Sequence, residues 1–199
     1  MNQPIKEIRA TYKDNTIRIY QAYSDAIADS TLAHGKFMSP PFKTERMTWI
    51  KPSFLWMMYR AGWGKKDDNQ KRILALDISI EGFDWALEHS LMSNHFSQYT
   101  KEEWIKLKET TPVRIQWDPE RDLFFKPLTY RSIQIGLSNE AVPLYVNEWI
   151  KNITEVTNLA SQIHSLIQKN KIKEAKLLLP KEIPYIPSEK IQKKVEISM

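Results

Sequence analysis

The chain has 199 residues, 42% of them hydrophobic and 27% charged, the proportions of an ordinary single globular domain able to bury a real core. Lys and Arg number 29 against 24 Asp and Glu, a net charge of +5, and this mild surplus permits an anionic partner such as a nucleotide or nucleic acid. With no cysteine, disulfides, thiolate chemistry and cysteine-ligated zinc are excluded.

No apolar run approaches the roughly 20 residues that span a bilayer, so no membrane partner is expected. The opening MNQPIKEIRATYKDN lacks a signal peptide's apolar core, and a cytoplasmic location is expected. In chain order, Ile17 to Tyr23 alternates as a strand, with Arg18 and Tyr20 on one face. Ser24 suits a helix N-cap, and the helix should close at Gly35. After Ser39-Pro40-Pro41 comes the densest stretch, Phe42 to Gly64, which holds Trp49, Trp56 and Trp63 among Arg46, Lys51 and Arg60. Met47 to Ile50 reads as a strand. Pro52 fits the first position of a following helix that Gly62 ends. Such tryptophan spacing is core packing or the wall of a pocket, with aromatic faces for a ring and cations for phosphates.

Lys65 to Arg72 reads as a charged, mobile loop, and Ile73 to Ile78 as a buried strand with Asp77 near its end. A helix opening at Ser79 or Glu81 and a second behind a Thr100–Glu103 capping box follow. Val113 to Trp117 is a strand, Asp118 to Arg121 a turn, and Arg131 to Leu137 another strand. Ser138 should cap a long helical region with an apolar stripe through Tyr145, Val146, Trp149 and Ile150. The helical pattern resumes after Thr154 and again in IKEAKLLL, up to Pro180. The order predicts an α+β fold of one compact domain over residues 1–187, with small mixed or antiparallel sheets flanked by helices. Residues 188–199 read as a basic, frayed tail.

No dinucleotide-binding or P-loop glycine pattern is present, nor a GxSxG elbow. His89 and His95 with Asp84 and Glu88 form only a weak metal pattern, and no metal is expected. Arg18, Arg114 and Gln134 are more telling. A polar side chain in a buried strand must be paired or hydrogen-bonded, either within a structural network that reaches Asp77, Asp118 or Glu120, or around a ligand.

IRIYQAYS, MTWIKPSFLWMMYRAGWG, QWDPERD, YRSIQIGL and VNEWI together resemble the family catalogued as domain of unknown function 4291, over residues 7–187. More distantly, the strand, short helix and glycine of IRIYQAYSDAIADSTLAHGKF are similar to the opening of ADP-ribosyltransferase-like domains. That resemblance implies a cleft for NAD between two small sheets. Arg18 would take the first-strand role, Ser53 or Tyr59 the second, and Gln134 the late-strand role that is commonly a glutamate. It further implies catalytic work for Arg18, Tyr59 and Gln134, and cofactor contacts from Arg18, Tyr20, Lys51, Ser53, Arg60 and Arg131. The other reading is a non-catalytic nucleic-acid module, with Trp49, Trp56, Tyr59 and Trp63 as stacking platforms and Arg46, Lys51, Arg60, Lys65 and Lys66 on the backbone.

Overall fold

The computed structural model describes residues 5–93 and 99–198. In chain order its elements are β1 (Arg9–Ala10), β2 (Tyr12–Lys13), β3 (Thr16–Tyr23), α1 (Asp25–His34), β4 (Thr48–Ile50) and α2 (Phe54–Ala61). After a 3-10 turn at Asp68–Gln70 come β5 (Arg72–Ser79), α3 (Ile80–Glu88), β6 (Ser90–Met92), α4 (Lys101–Thr110), β7 (Val113–Arg121) and β8 (Pro127–Leu137). Next, α5 (Ala141–Leu144) runs into a π-helical turn, Tyr145–Trp149, followed by β9 (Ile150–Glu155), α6 (Thr157–Gln168), α7 (Ile172–Leu177), β10 (Ile183–Pro184) and α8 (Glu189–Lys194). The fold is α+β.

Two four-stranded sheets carry it, in the orders β2-β3-β5-β9 and β4-β8-β7-β6, and β1 with β10 makes a third, two-stranded sheet. The first sheet is covered on both faces. Ile17, Ile19, Leu74 and Leu76 pack into one core with Ile115, Ile133 and Ile135 of the second sheet. Tyr20, Ile73 and Ala75 pack on the other side with Phe54 and Met58 of α2 and Ala160 and Ile163 of α6. That double cover is why Ile73–Ile78 is apolar almost throughout.

The sheets are joined where β3 meets β4. The Tyr20 N–H donates to the Lys51 carbonyl at 2.7 Å. Beside it, the amide of Gln21 donates to Thr48 Oγ1 at 2.8 Å and to the Trp49 carbonyl at 3.2 Å. The buried Tyr145 hydroxyl donates in turn to Gln21 Oε1 at 2.6 Å. In Tyr145→Phe this acceptor loses its partner in a buried site, and stability should fall by about 2 kcal/mol. Urea unfolding measures this, and a loss under 0.5 kcal/mol would mean the bond is not needed to hold the sheets together.

Several expectations change. Phe54, not Pro52, is the first residue of α2: Ser53 is its extended cap, whose hydroxyl accepts from the Trp56 N–H, so Pro52 lies outside the helix. Asp118 to Arg121 is not a turn but the end of β7, with a bulge between Pro119 and Arg121 that absorbs the proline. The long helix after Ser138 is interrupted: Ile150–Glu155 is an edge strand pairing with β5. Lys71 and Arg72 are tied by ion pairs to Asp25, Asp29 and Glu155. The tail folds back as well. Ile191 and Val195 are buried, and the Trp117 indole donates to the Val195 carbonyl at 2.8 Å. An i, i+4 apolar pair outweighed the lysines around it.

Candidate functional site

A cleft of about 1050 Å³ opens along the junction of the two sheets. The end of β3 contributes Gln21 and Tyr23, β4 contributes Thr48 and Trp49, and α2 contributes Trp56, Tyr59 and Arg60. From the second sheet come Gln116, Asp118 and Arg121 of β7 and Gln134 of β8. Lys43 and Arg46 of the loop before β4, with Asp67, Asn69 and Gln70 of the 3-10 turn, complete the rim.

Strand periodicity explains the polar wall. Gln116 and Asp118 share a face of β7, and Gln134 pairs directly opposite Gln116. Both glutamine amides converge on one carboxylate: Gln116 donates to Asp118 Oδ1 at 2.9 Å, and Gln134 donates to Oδ2. Trp49 lies over Gly136, its cross-strand partner, where an added Cβ would stand 3.0 Å from the indole. Glycine at that position gives the ring its seat.

The aromatic wall belongs to α2. Trp56 and Tyr59 lie with ring centroids 5.1 Å apart, and the Arg121 guanidinium stands 4.0 Å from the Tyr59 centroid and 5.4 Å from that of Trp56. Two buried donors on these lining residues, Trp56 Nε1 and Arg121 Nε, have no hydrogen-bond partner among the described residues. Such groups are costly to leave unmet.

Lys51, 6% exposed, lines the cleft, and its Nζ donates to the Trp49 carbonyl at 3.3 Å. Burial, and then the Arg60 charge, pull its pKa down to about 7, against a smaller opposing effect from Asp118. Lysine and arginine outnumber carboxylates in the lining, Lys43, Arg46, Lys51, Arg60 and Arg121 against Asp67 and Asp118, which gives the cleft a positive field.

Of the residues the sequence proposed, Arg46, Trp49, Lys51, Trp56, Tyr59, Arg60 and Gln134 meet in this cleft. Arg18, Tyr20, Ser53 and Arg131 do not line it. Arg18 is held in a two-pronged pair by Asp77 at 2.7 and 2.9 Å, and Asn152 donates to the same carboxylate at 3.1 Å, one residue from each of three neighbouring strands. Tyr20 is buried against Phe54, and Ser53 caps α2. Arg131 donates to the Trp117 carbonyl at 3.0 Å. Arg114 serves structure too, donating to the carbonyls of Lys108, Thr111 and Val113 around the end of α4. Arg18→Ala is therefore expected to cost about 1 kcal/mol of stability and to leave ligand binding in the cleft intact. A binding loss in a fully folded variant would overturn that placement.

No sequence motif singles out Arg121, and the strand pattern points to Asp118 only as a structural partner. The signal for Asp118 was available: Arg114, Gln116 and Asp118 continue one strand alternation, which the Asp-Pro pair disguised as a turn. Of the weak metal pattern, His95 lies outside the described residues. His89 stacks on Trp85 at 4.0 Å, and Asp84 accepts from the Tyr185 hydroxyl at 2.8 Å. Among the described residues no three metal-ligating side chains gather, and no helix is long and apolar enough to cross a membrane.

No curated protein matches the chain. The family profile described as domain of unknown function (DUF4291) matches residues 7–185, and the chain belongs to that family.

Proposed function

We propose that the cleft binds a nucleotide, with NAD as the candidate, and serves transfer of an ADP-ribosyl group to an acceptor. The observation that carries this reading is the convergence, in one cleft between two small sheets, of a cation-rich rim, an aromatic wall and a carboxylate held by two glutamines. NAD would supply a glycosidic carbon that loses nicotinamide and gains the acceptor. Arg46 and Arg60, both exposed at the rim, suit a pyrophosphate. Tyr59, half-buried in the lining with the Arg121 guanidinium against its ring, suits contact with a bound ring. Asp118 supplies what Gln134 alone does not: a negative charge, fixed in direction, to stabilise positive charge developing at the reacting carbon. The carboxylate thus comes from the strand beside Gln134.

The stacking-platform reading has less support, because Trp56 is 4% and Trp63 is 6% exposed. Trp63 lies between Phe125 and His164, with centroids 5.4 and 5.5 Å away. Calorimetric titration with NAD is the test, beside Arg60→Glu, a change at an exposed side chain that spares the core. Saturable binding weakened about tenfold or more in the variant is expected, a difference of about 1.4 kcal/mol. No binding by folded protein at millimolar NAD, with steeply salt-dependent binding of oligonucleotides, would replace the proposal by the nucleic-acid reading.

A further inference from the structure

We propose that Lys51 is a reactive amine of the cleft, whose Nζ forms a Schiff base with the carbonyl carbon of a phosphate-bearing aldehyde. The inference rests on the cleft as a site for anionic ligands, not on NAD.

A lysine this deeply buried normally ends in an ion pair, because desolvating an ammonium alone is expensive. Among the described residues Lys51 has no such pair, and its Nζ reaches only the Trp49 carbonyl, two residues back in the chain. The carboxylate facing it from β7, Asp118, has both oxygens engaged by Gln116 and Gln134. From α2 it faces Arg60, a like charge. Lys43, Arg46 and Arg121 add positive charge to the same cleft, and Asp67 is the other carboxylate among its lining residues. Desolvation beside a cation is one of the ways proteins turn lysine into a nucleophile at neutral pH. The protonation of Lys51 follows the same geometry, with its pKa near 7.

The ligand class follows from the surroundings. A phosphate finds Arg46 and Arg60 at the rim, a ring or sugar finds Tyr59 and Trp56, and a carbonyl carbon at the inner end meets the amine. The lone pair of Nζ adds to that carbon to give a carbinolamine. The carbonyl oxygen and the two amine protons then leave together as water, and the C=N bond remains. No oxidant or metal is needed. Open-chain sugar phosphates belong to this class, as does the aldehyde form of ADP-ribose.

The experiment traps the adduct on the wild-type protein. Pyridoxal 5′-phosphate and, separately, ribose 5-phosphate are incubated with it near pH 7.5, reduced with borohydride, and located by peptide mapping. Formaldehyde with a mild reductant is run in parallel as a small neutral probe. Lys51 is expected to be trapped by both phosphates about tenfold or more faster than exposed Lys65 and Lys66. Trapping should fall about tenfold between pH 7.5 and pH 6 as the amine protonates. Adducts spread over surface lysines with Lys51 unmodified would overturn the proposal. Modification of Lys51 by formaldehyde but by neither phosphate would overturn it as well, since the ligand class would be wrong. Trapping of Lys51 in a protein that does not bind NAD would support it and would sink only the transferase reading.

Discussion

Trp149→Ala is expected to lower stability by about 4 kcal/mol, within the range for removing a buried aromatic. Trp149 is 6% exposed and ends the π-helical turn that delivers the chain to β9. Its ring lies so close to Gly82 in α3 that an added Cβ there would stand 2.3 Å from it. Trp85 and Tyr145 flank it, with centroids 5.5 and 6.3 Å away. No small side chain refills that volume. Gly82→Ala should also destabilise, because the ring cannot retreat from the added methyl. The two changes made together should cost less than their sum, since each relieves part of the other's defect. Urea midpoints at unchanged slope measure all three variants. A loss below 1 kcal/mol for Trp149→Ala would mean that this side chain is not the contact fixing α3 to the π-helical turn before β9.

Glu182→Gln should leave stability nearly unchanged near pH 5 and raise it by roughly 2 kcal/mol at pH 9. Glu182, half-buried, accepts from the Phe54 N–H at 2.7 Å, at the first turn of α2, and faces a buried carboxyl, Glu120. Burial, then the charge of Glu120, push its pKa up to about 8, and the Phe54 N–H opposes them. A helix N-terminus favours an anion by up to a few tenths to 1 kcal/mol at an accessible site, and here desolvation wins. The folded state therefore holds the proton more tightly than the unfolded chain, whose Glu titrates near 4.5. Stability from this group is full below about pH 4.5 and is lost as pH rises through 8. Glutamine keeps an acceptor for the Phe54 N–H without the charge. Melting temperatures from pH 5 to pH 9 check it, and parallel profiles for wild type and variant would show that Glu182 is not the group responsible.

The elements that could be read from the sequence are those whose periodicity is carried by local residues. Thr16–Tyr23 and Arg72–Ser79 announce themselves through alternation and apolar density, and Ser79, Thr100, Gly35 and Gly62 cap helices where they should. Ile150–Glu155 does not. Only Ile150 and Ile153 are apolar there, a spacing of three that imitates a helix, and its strand character comes from pairing with β5. The candidate site divides similarly. Lys51, Tyr59 and Arg60 sit on one short stretch whose density of large polar and aromatic side chains stands out. The separation of Arg18 from them depends on Asp77 directly across in the register, a long-range fact with no local signature.

The two-stranded sheet of β1 and β10 has a consequence for how the protein is made. The Arg9 guanidinium donates to the Glu182 carbonyl across 173 residues of sequence. At ribosomal rates of about 5–20 residues per second, the N-terminal strand waits roughly 9–35 s for its partner to be synthesised. During that interval its edge is open to other chains. Yield in cells should therefore respond to translation speed and chaperone supply more than the stability of the finished fold would suggest.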